Sequence, residues 1–168
     1  TFFVWTQRVG CIPSLQKTLR EAIATGDIII MINPIEPFNE TDIQLLTTYL
    51  ETGGRVLLLD SITNTASTAN ECLGNFGLWL TTNTNDQALF FNRSNNRNET
   101  SIGNITTPYL SVVGGKPLLT NEKNETMVCM TEFINTTKGT TGKLLVAVDS
   151  YTFSDVLMGG VFTEPNEQ

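Results

Sequence analysis

The sequence contains no histidine. Without imidazole, the usual proton carrier near neutral pH is absent, so Ser-His and Cys-His nucleophile pairs and histidine-ligated metal centres are excluded. Charge is also scarce. Charged residues make up 16% of the chain, against about a quarter in an ordinary soluble domain. The 10 Lys and Arg are outnumbered by 17 Asp and Glu, giving a net charge of -7, and no basic run exists anywhere. Nucleic-acid binding and attraction to an anionic membrane surface both rest on clustered Lys and Arg, so neither partner is expected. Long apolar runs are missing too. The longest, Ile28-Ile29-Ile30-Met31-Ile32, is far below the roughly 20 residues that span a bilayer as a helix.

Cysteine is sparse. Cys11, Cys72 and Cys129 are odd in number and match no zinc or Cys-x-x-Cys spacing. They read either as buried thiols or as one bridge plus a free thiol. No Gly-x-Ser/Cys-x-Gly elbow, no glycine-rich phosphate loop and no Asp-x-Ser-x-Ser metal motif occurs. Nothing singles out a carboxylate pair for glycosidic cleavage. No cofactor and no metal is expected.

What is abundant is Asn and Thr, crowded into residues 81–141. Asn-x-Ser/Thr occurs at Asn39, Asn92, Asn98, Asn104, Asn124 and Asn135. With 16 Asn and 34 Ser plus Thr, chance yields roughly three such triplets. Sugar on these acceptors would supply the solubility that charge does not. The expected setting is extracytoplasmic (secreted, cell surface or lumenal) in an archaeal or eukaryotic host, with the sugar on one side and a bare partner face. The first residue is Thr1, which reads as a processed or excised piece of a longer secreted or membrane-anchored protein.

The 168 residues suit one domain, 1–168. Residues 2–5 read as a strand. Residues 13–24 read as a helix with Leu15, Leu19, Ala22 and Ile23 on one face, closed by Gly26. DIIIMIN at 27–33, RVLLLD at 55–60 and KLLVAVD at 143–149 are continuous apolar strands of the kind buried on both faces. Between the first two lies a helix capped by Asn39, with Asp42 as its capping-box partner, a Phe38–Ile43 staple, a stripe of Ile43, Leu46 and Leu50, and a Gly53-Gly54 stop. Further elements are a short helix at 65–74, strands at 78–80, 109–113 and 126–133, and a helical turn at 153–158. The alternation predicts a three-layer Rossmann-like α/β fold: a mainly parallel sheet, helices on both faces, and a polar β-rich insertion at about 81–141.

Ligands of open α/β sheets sit beyond the carboxyl ends of the strands. The three strands end there at Asn33, Asp60-Ser61 and Asp149-Ser150, with Asp155 nearby. These six residues form a candidate ligand rim. Two readings stand side by side: a small-ligand or cation site built on Asp60 and Asp149, or side chains that cap the following turns.

Two stretches carry a family likeness. DIIIMINPIEPFNETDIQLLTTYLETGGRVLLLDS (27–61) and GKLLVAVDSYTFSDVLM (142–158) resemble class I glutamine amidotransferase-like domains: a strand ending in a Pro-containing loop, a helix opening, and a Gly-Gly before the next strand. The likeness is to the non-catalytic branch, as in gliding-type ABC-transporter auxiliary, intraflagellar transport and oligosaccharyltransferase non-catalytic subunit domains. Catalytic members use a Cys-His-Glu triad, and this chain has neither elbow Cys nor His. The resemblance therefore implies the fold and a protein-interaction or scaffold role, not an enzyme. Expected partners are proteins of a surface or membrane complex, self-association included. The alternatives are a structural subunit of an extracellular filament or surface layer, and a carboxylate-dependent hydrolase using Asp60 and Asp149.

Overall fold

The computed structural model describes residues 2–83, 89–92, 104–105, 108–121 and 123–148. The expected helical turn at 153–158 and the rim residues Asp149, Ser150 and Asp155 lie outside these residues, as does Asn98.

Helix α1 (Phe2–Arg8) comes first, then α2 (Leu19–Thr25), β1 (Ile28–Ile32), α3 (Glu40–Glu51), β2 (Arg55–Asp60), α4 (Ala69–Leu73) and a single 3-10 turn at Gly74–Phe76. The rest is strand: β3 (Trp79–Asn83), β4 (Leu89–Asn92), β5 (Asn104–Ile105), β6 (Tyr109–Val113), β7 (Lys116–Asn121), β8 (Thr126–Asn135) and β9 (Thr140–Val148).

The protein is an α/β domain built on one mixed sheet. β1, β2 and β9 run parallel in that order, Ile29 opposite Val56 and Val56 opposite Leu144. From β9 outward the pairing turns antiparallel through β8, β7 and β4, and the β3–β6 ribbon joins at β8. The polar stretch at 81–141 is thus part of the sheet itself, extending the parallel strands rather than decorating them.

Strand alternation explains the core. Ile29, Val56, Leu58, Leu144, Val146 and Val148 point to one face, where Leu46 and Leu50 of α3 pack, and Cys72 and Leu73 of α4, beside β3, belong to the same buried cluster. α2 packs beside α3 in the same layer, and Tyr49 Oη donates to the Asp27 carbonyl at 3.0 Å to tie the two. α3 begins as its residues dictate: Asp42 N–H donates to Asn39 Oδ1 at 3.0 Å, and Asn39 N–H returns to Asp42 Oδ2 at 3.3 Å. It ends where Gly53 takes φ +98°. Gly142 answers a different need. β9 crosses the end of α3 so closely that a Cβ there would overlap the Leu50 carbonyl.

Two local expectations are corrected, and one strand is added. Residues 2–5 lie in a helix, because a four-residue aromatic run carries no decisive period. The expected helix at 13–24 starts only at Leu19, and Leu15 is 93% exposed. Thr18-Leu19-Arg20-Glu21 is the true start: Glu21 N–H donates to Thr18 Oγ1 at 3.2 Å. β7 falls where no element was expected, and it pairs with β8 through shifted register on either side of Leu119.

Candidate functional site

The carboxyl ends of β1, β2 and β9 are level, since Ile32 faces Leu59 and Asp60 faces Val148. Asn33 follows β1 in the left-handed region (φ 48°), which Asn tolerates. Its N–H donates to the Leu59 carbonyl at 2.8 Å. Asn33, Asp60 and Ser61 therefore share one rim.

Asp60 is completely buried, and its carboxylate is enclosed by its own loop. Ser61 N–H and Asn64 Nδ2 each donate to Oδ1 at 2.9 Å, and Ser67 Oγ donates to Oδ2. Ser67 Oγ in turn accepts from Ala69 N–H at 3.1 Å, so the chain of bonds ends in the first turn of α4. The loop also grips its neighbour. Asn64 Nδ2 and Thr68 N–H donate to the Pro34 carbonyl at 3.2 and 3.1 Å, and Thr68 Oγ1 donates to the Glu36 carbonyl at 2.9 Å. Asp60 does not itself cap α4, whose start at Thr68 makes no side-chain cap bond; it is one buried acceptor for three donors of its own loop that would otherwise be stranded. Ser61, also buried, shares a 2.9 Å hydroxyl contact with Thr63.

A recess of about 230 Å³ opens at this clamp, lined by Asp60 and Ser61 themselves together with Asn64, Ser67, Asn70 and Leu80 among others. That is below the ~300–1,000 Å³ of common small-molecule sites. Asn70 is already engaged, pairing both ways with the Leu80 backbone at 2.7 and 3.0 Å. A wider depression of about 560 Å³ lies between the starts of α2 and α3, beside Thr18, Arg20 and Leu45. There the Asn39 and Asp42 side chains close the capping box. Among the described residues no group of three or more His, Cys, Asp or Glu is placed to hold a metal ion.

The thiols are free: Cys11 is exposed, Cys72 and Cys129 are buried. Burial pushes the Cys72 thiol up to about 12 and the Cys129 thiol up to about 11, so both are protonated and poor nucleophiles near neutral pH.

Sequence reasoning missed a second buried network at the same end of the sheet. Tyr109 Oη donates to Glu125 Oε2, and Asn121 Nδ2 donates to the same oxygen at 2.7 Å. Asn121 Oδ1 accepts from the N–H groups of Lys123 and Glu125 at 2.9 and 3.0 Å. Burial, and then the adjacent Glu125, push the Tyr109 hydroxyl up to about 12. The available signal was the aromatic hydroxyl itself, which requires a partner once its ring is buried.

The sequon asparagines fall at both ends of the sheet. Asn39 is exposed at the start of α3, and Asn124 is exposed in the β7–β8 turn at φ 60°. Asn92 ends β4, opposite Thr120 near that same end. Asn135 is half-buried at the far end of β8, where its Oδ1 accepts from Lys138 N–H at 3.0 Å. Asn104 lies in β5. The acceptors are thus not confined to one side.

No protein-family model matches the chain, and no curated protein matches it in sequence. Its fold is similar to several solved structures. The mmIFT52 N-terminal domain superposes with a TM-score of 0.65 at 18% identity, covering 92% of this chain and 81% of that one. The cytoplasmic protein STM3548 from Salmonella typhimurium gives 0.55 at 10% identity, covering 94% and 84%. At these identities the likeness establishes the fold and nothing finer.

Proposed function

We propose that this chain is a non-catalytic binding and scaffolding domain of an N-glycosylated extracytoplasmic protein, acting through protein–protein contact. The amidotransferase-like resemblance of 27–61 and 142–158 belongs to the same reading. One observation carries it. At the rim where this fold class holds ligands, the buried carboxylate is engaged by its own loop, whereas apolar side chains stand exposed on β1: Ile28, Ile30 and Ile32. An open apolar strand is a protein-binding feature; a closed polar rim is a structural one. The hydrolase alternative gains no support from an Asp60 that no solvent reaches.

Glycopeptide mapping of native material tests the compartment. Asn39 and Asn124, both exposed, should carry sugar. All six acceptors unmodified would overturn the extracytoplasmic setting. A small ligand found bound against the Asp60 loop, with turnover lost in Asp60→Asn while folding is kept, would overturn the non-catalytic reading.

A further inference from the structure

Among the described residues β1 is an edge strand, with β2 as its neighbour on one side and no strand on the other. The backbone says which groups face that open side. Asn33 N–H points toward β2, where it meets the Leu59 carbonyl, so the Ile32 carbonyl in the same peptide points away. Alternation along the strand then places the N–H and C=O of Ile28, Ile30 and Ile32 on the open edge. The side chains of the same three residues are 46%, 38% and 51% exposed, while Ile29 between them is 4%.

Exposed edges are normally blunted by Lys, Pro or a bulge. β1 has none of these: its five residues are Ile, Ile, Ile, Met and Ile, paired to β2 in unbroken register. The exposed pattern is also symmetric about Ile30. Turned antiparallel about a two-fold axis at Ile30, a second β1 would set Ile28 opposite Ile32, Ile30 opposite its own copy and Ile29 opposite Met31. Each outward-facing residue would then exchange both backbone hydrogen bonds with its opposite number. The flanks fit as well. No like charges would be opposed: Asp27 would lie toward the uncharged Asn33, which turns out of the strand at φ 48°, whereas a parallel in-register pairing would set Asp27 beside Asp27 in a chain already at -7.

From this self-complementarity we propose that the occupant of the β1 edge is a second copy of this chain, pairing antiparallel about Ile30 to form one continuous sheet across a two-fold dimer. The proposal rests on the interaction-domain reading and names its partner. Three half-exposed isoleucines and one short strand fall well below the ~800 Å² per partner of a stable interface. The dimer is therefore reversible, with dissociation on the order of micromolar or weaker.

Sedimentation velocity over a concentration series tests it, with a melting curve for each variant. The full chain should shift from monomer to dimer. Ile30→Lys, which places like charges opposite each other at the two-fold centre, should weaken dimerisation at least tenfold with the melt unchanged, because the position is exposed. A second variant reads geometry. In a Cys11→Ser background, Ile30→Cys should form an intermolecular disulfide under mild oxidation at least tenfold faster than Ile134→Cys, since opposed residues in such a pair bring their Cα atoms to roughly 5.5 Å. A chain that stays monomeric throughout, or a dimer indifferent to Ile30→Lys, overturns the proposal. If native cross-links instead seat a different protein on β1, self-pairing fails and the interaction-domain reading stands. A ligand seated at the Asp60 rim would defeat that reading independently.

Discussion

The parallel and antiparallel halves of the sheet each gather their loops at the same end around a carboxylate, and they recruit different donors. Asp60 collects one backbone N–H, one amide and one hydroxyl, all from the seven residues that follow it. The same loop then bonds Pro34 and Glu36, so it holds two βα connections together. Glu125 collects the Tyr109 hydroxyl from another strand and an amide from within its own turn. Asp60 is wholly buried, whereas Glu125 is half-buried. In both places the carboxylate accepts from groups that a turn's backbone alone would leave without a partner. A polar residue at a strand end therefore says more about how the loop closes than about chemistry.

The sharpest way to break this comparison is Asp60→Ala. It strands three donors in the interior and loosens both connections, so we expect a loss of about 3 kcal/mol in urea unfolding. Asp60→Asn keeps Oδ1 for Ser61 and Asn64, and its cost should be about 1 kcal/mol. If the two variants unfold alike, Asp60 is not the acceptor that organises the loop. In the other half, Tyr109→Phe removes one donor from a half-buried acceptor that still holds Asn121. The expected loss is about 1–2 kcal/mol. A larger loss for Tyr109→Phe than for Asp60→Ala would reverse the ranking of the two clamps.

Alkaline pH probes the same interior. The Cys72, Cys129 and Tyr109 groups are all raised from their ordinary values of 9.0, 9.0 and 10.0, to about 12, 11 and 12. Each is neutral in the fold and ionises more easily once unfolded. Their contribution is complete below about pH 9 and is lost as pH rises through the folded values toward 12. Urea midpoints should be flat up to about pH 8.5 and fall steadily above it. Cys72→Ala should shallow that fall, and a midpoint that rises with pH in this range would contradict the burial of these groups.

How much of this was legible before the structure depended on which force shaped each segment. DIIIMIN, RVLLLD and KLLVAVD announce themselves because burial on both faces demands unbroken apolar runs, and they are the parallel core. The Asn39 cap was legible because its two bonds are local. The start of α2 was equally local, in Thr18 and Glu21, yet Pro13 and Leu15 offered a competing helix start. β7 and the β3–β6 ribbon were harder, since antiparallel pairing in a Thr- and Asn-rich stretch is decided by distant partners. At the rim, residue type drew attention to Asp60 and Ser61 but did not reveal which groups they bond. That depended on Asn64 and Ser67 folding back, which no spacing rule encodes. The Tyr109–Glu125 pair spans 16 residues and two strands, so it had no local signature at all.

The smallest effect separates two roles of one residue. Asn39 is both the cap of α3 and a sequon acceptor, and its Oδ1 is the atom engaged with Asp42 N–H. Sugar attaches through the nitrogen, which leaves that oxygen free to cap. Asn39→Ala removes both roles and should cost about 1 kcal/mol in unglycosylated protein, the usual value of a lost cap. Thr41→Ala destroys the sequon and leaves the cap, so its unfolding midpoint should stay within about 0.5 kcal/mol of the parent. Compared in glycosylated material, the two variants should lose the same glycan mass and still differ in stability by the value of the cap. If they become equally unstable there, the sugar rather than the Asn39–Asp42 box is holding the start of α3.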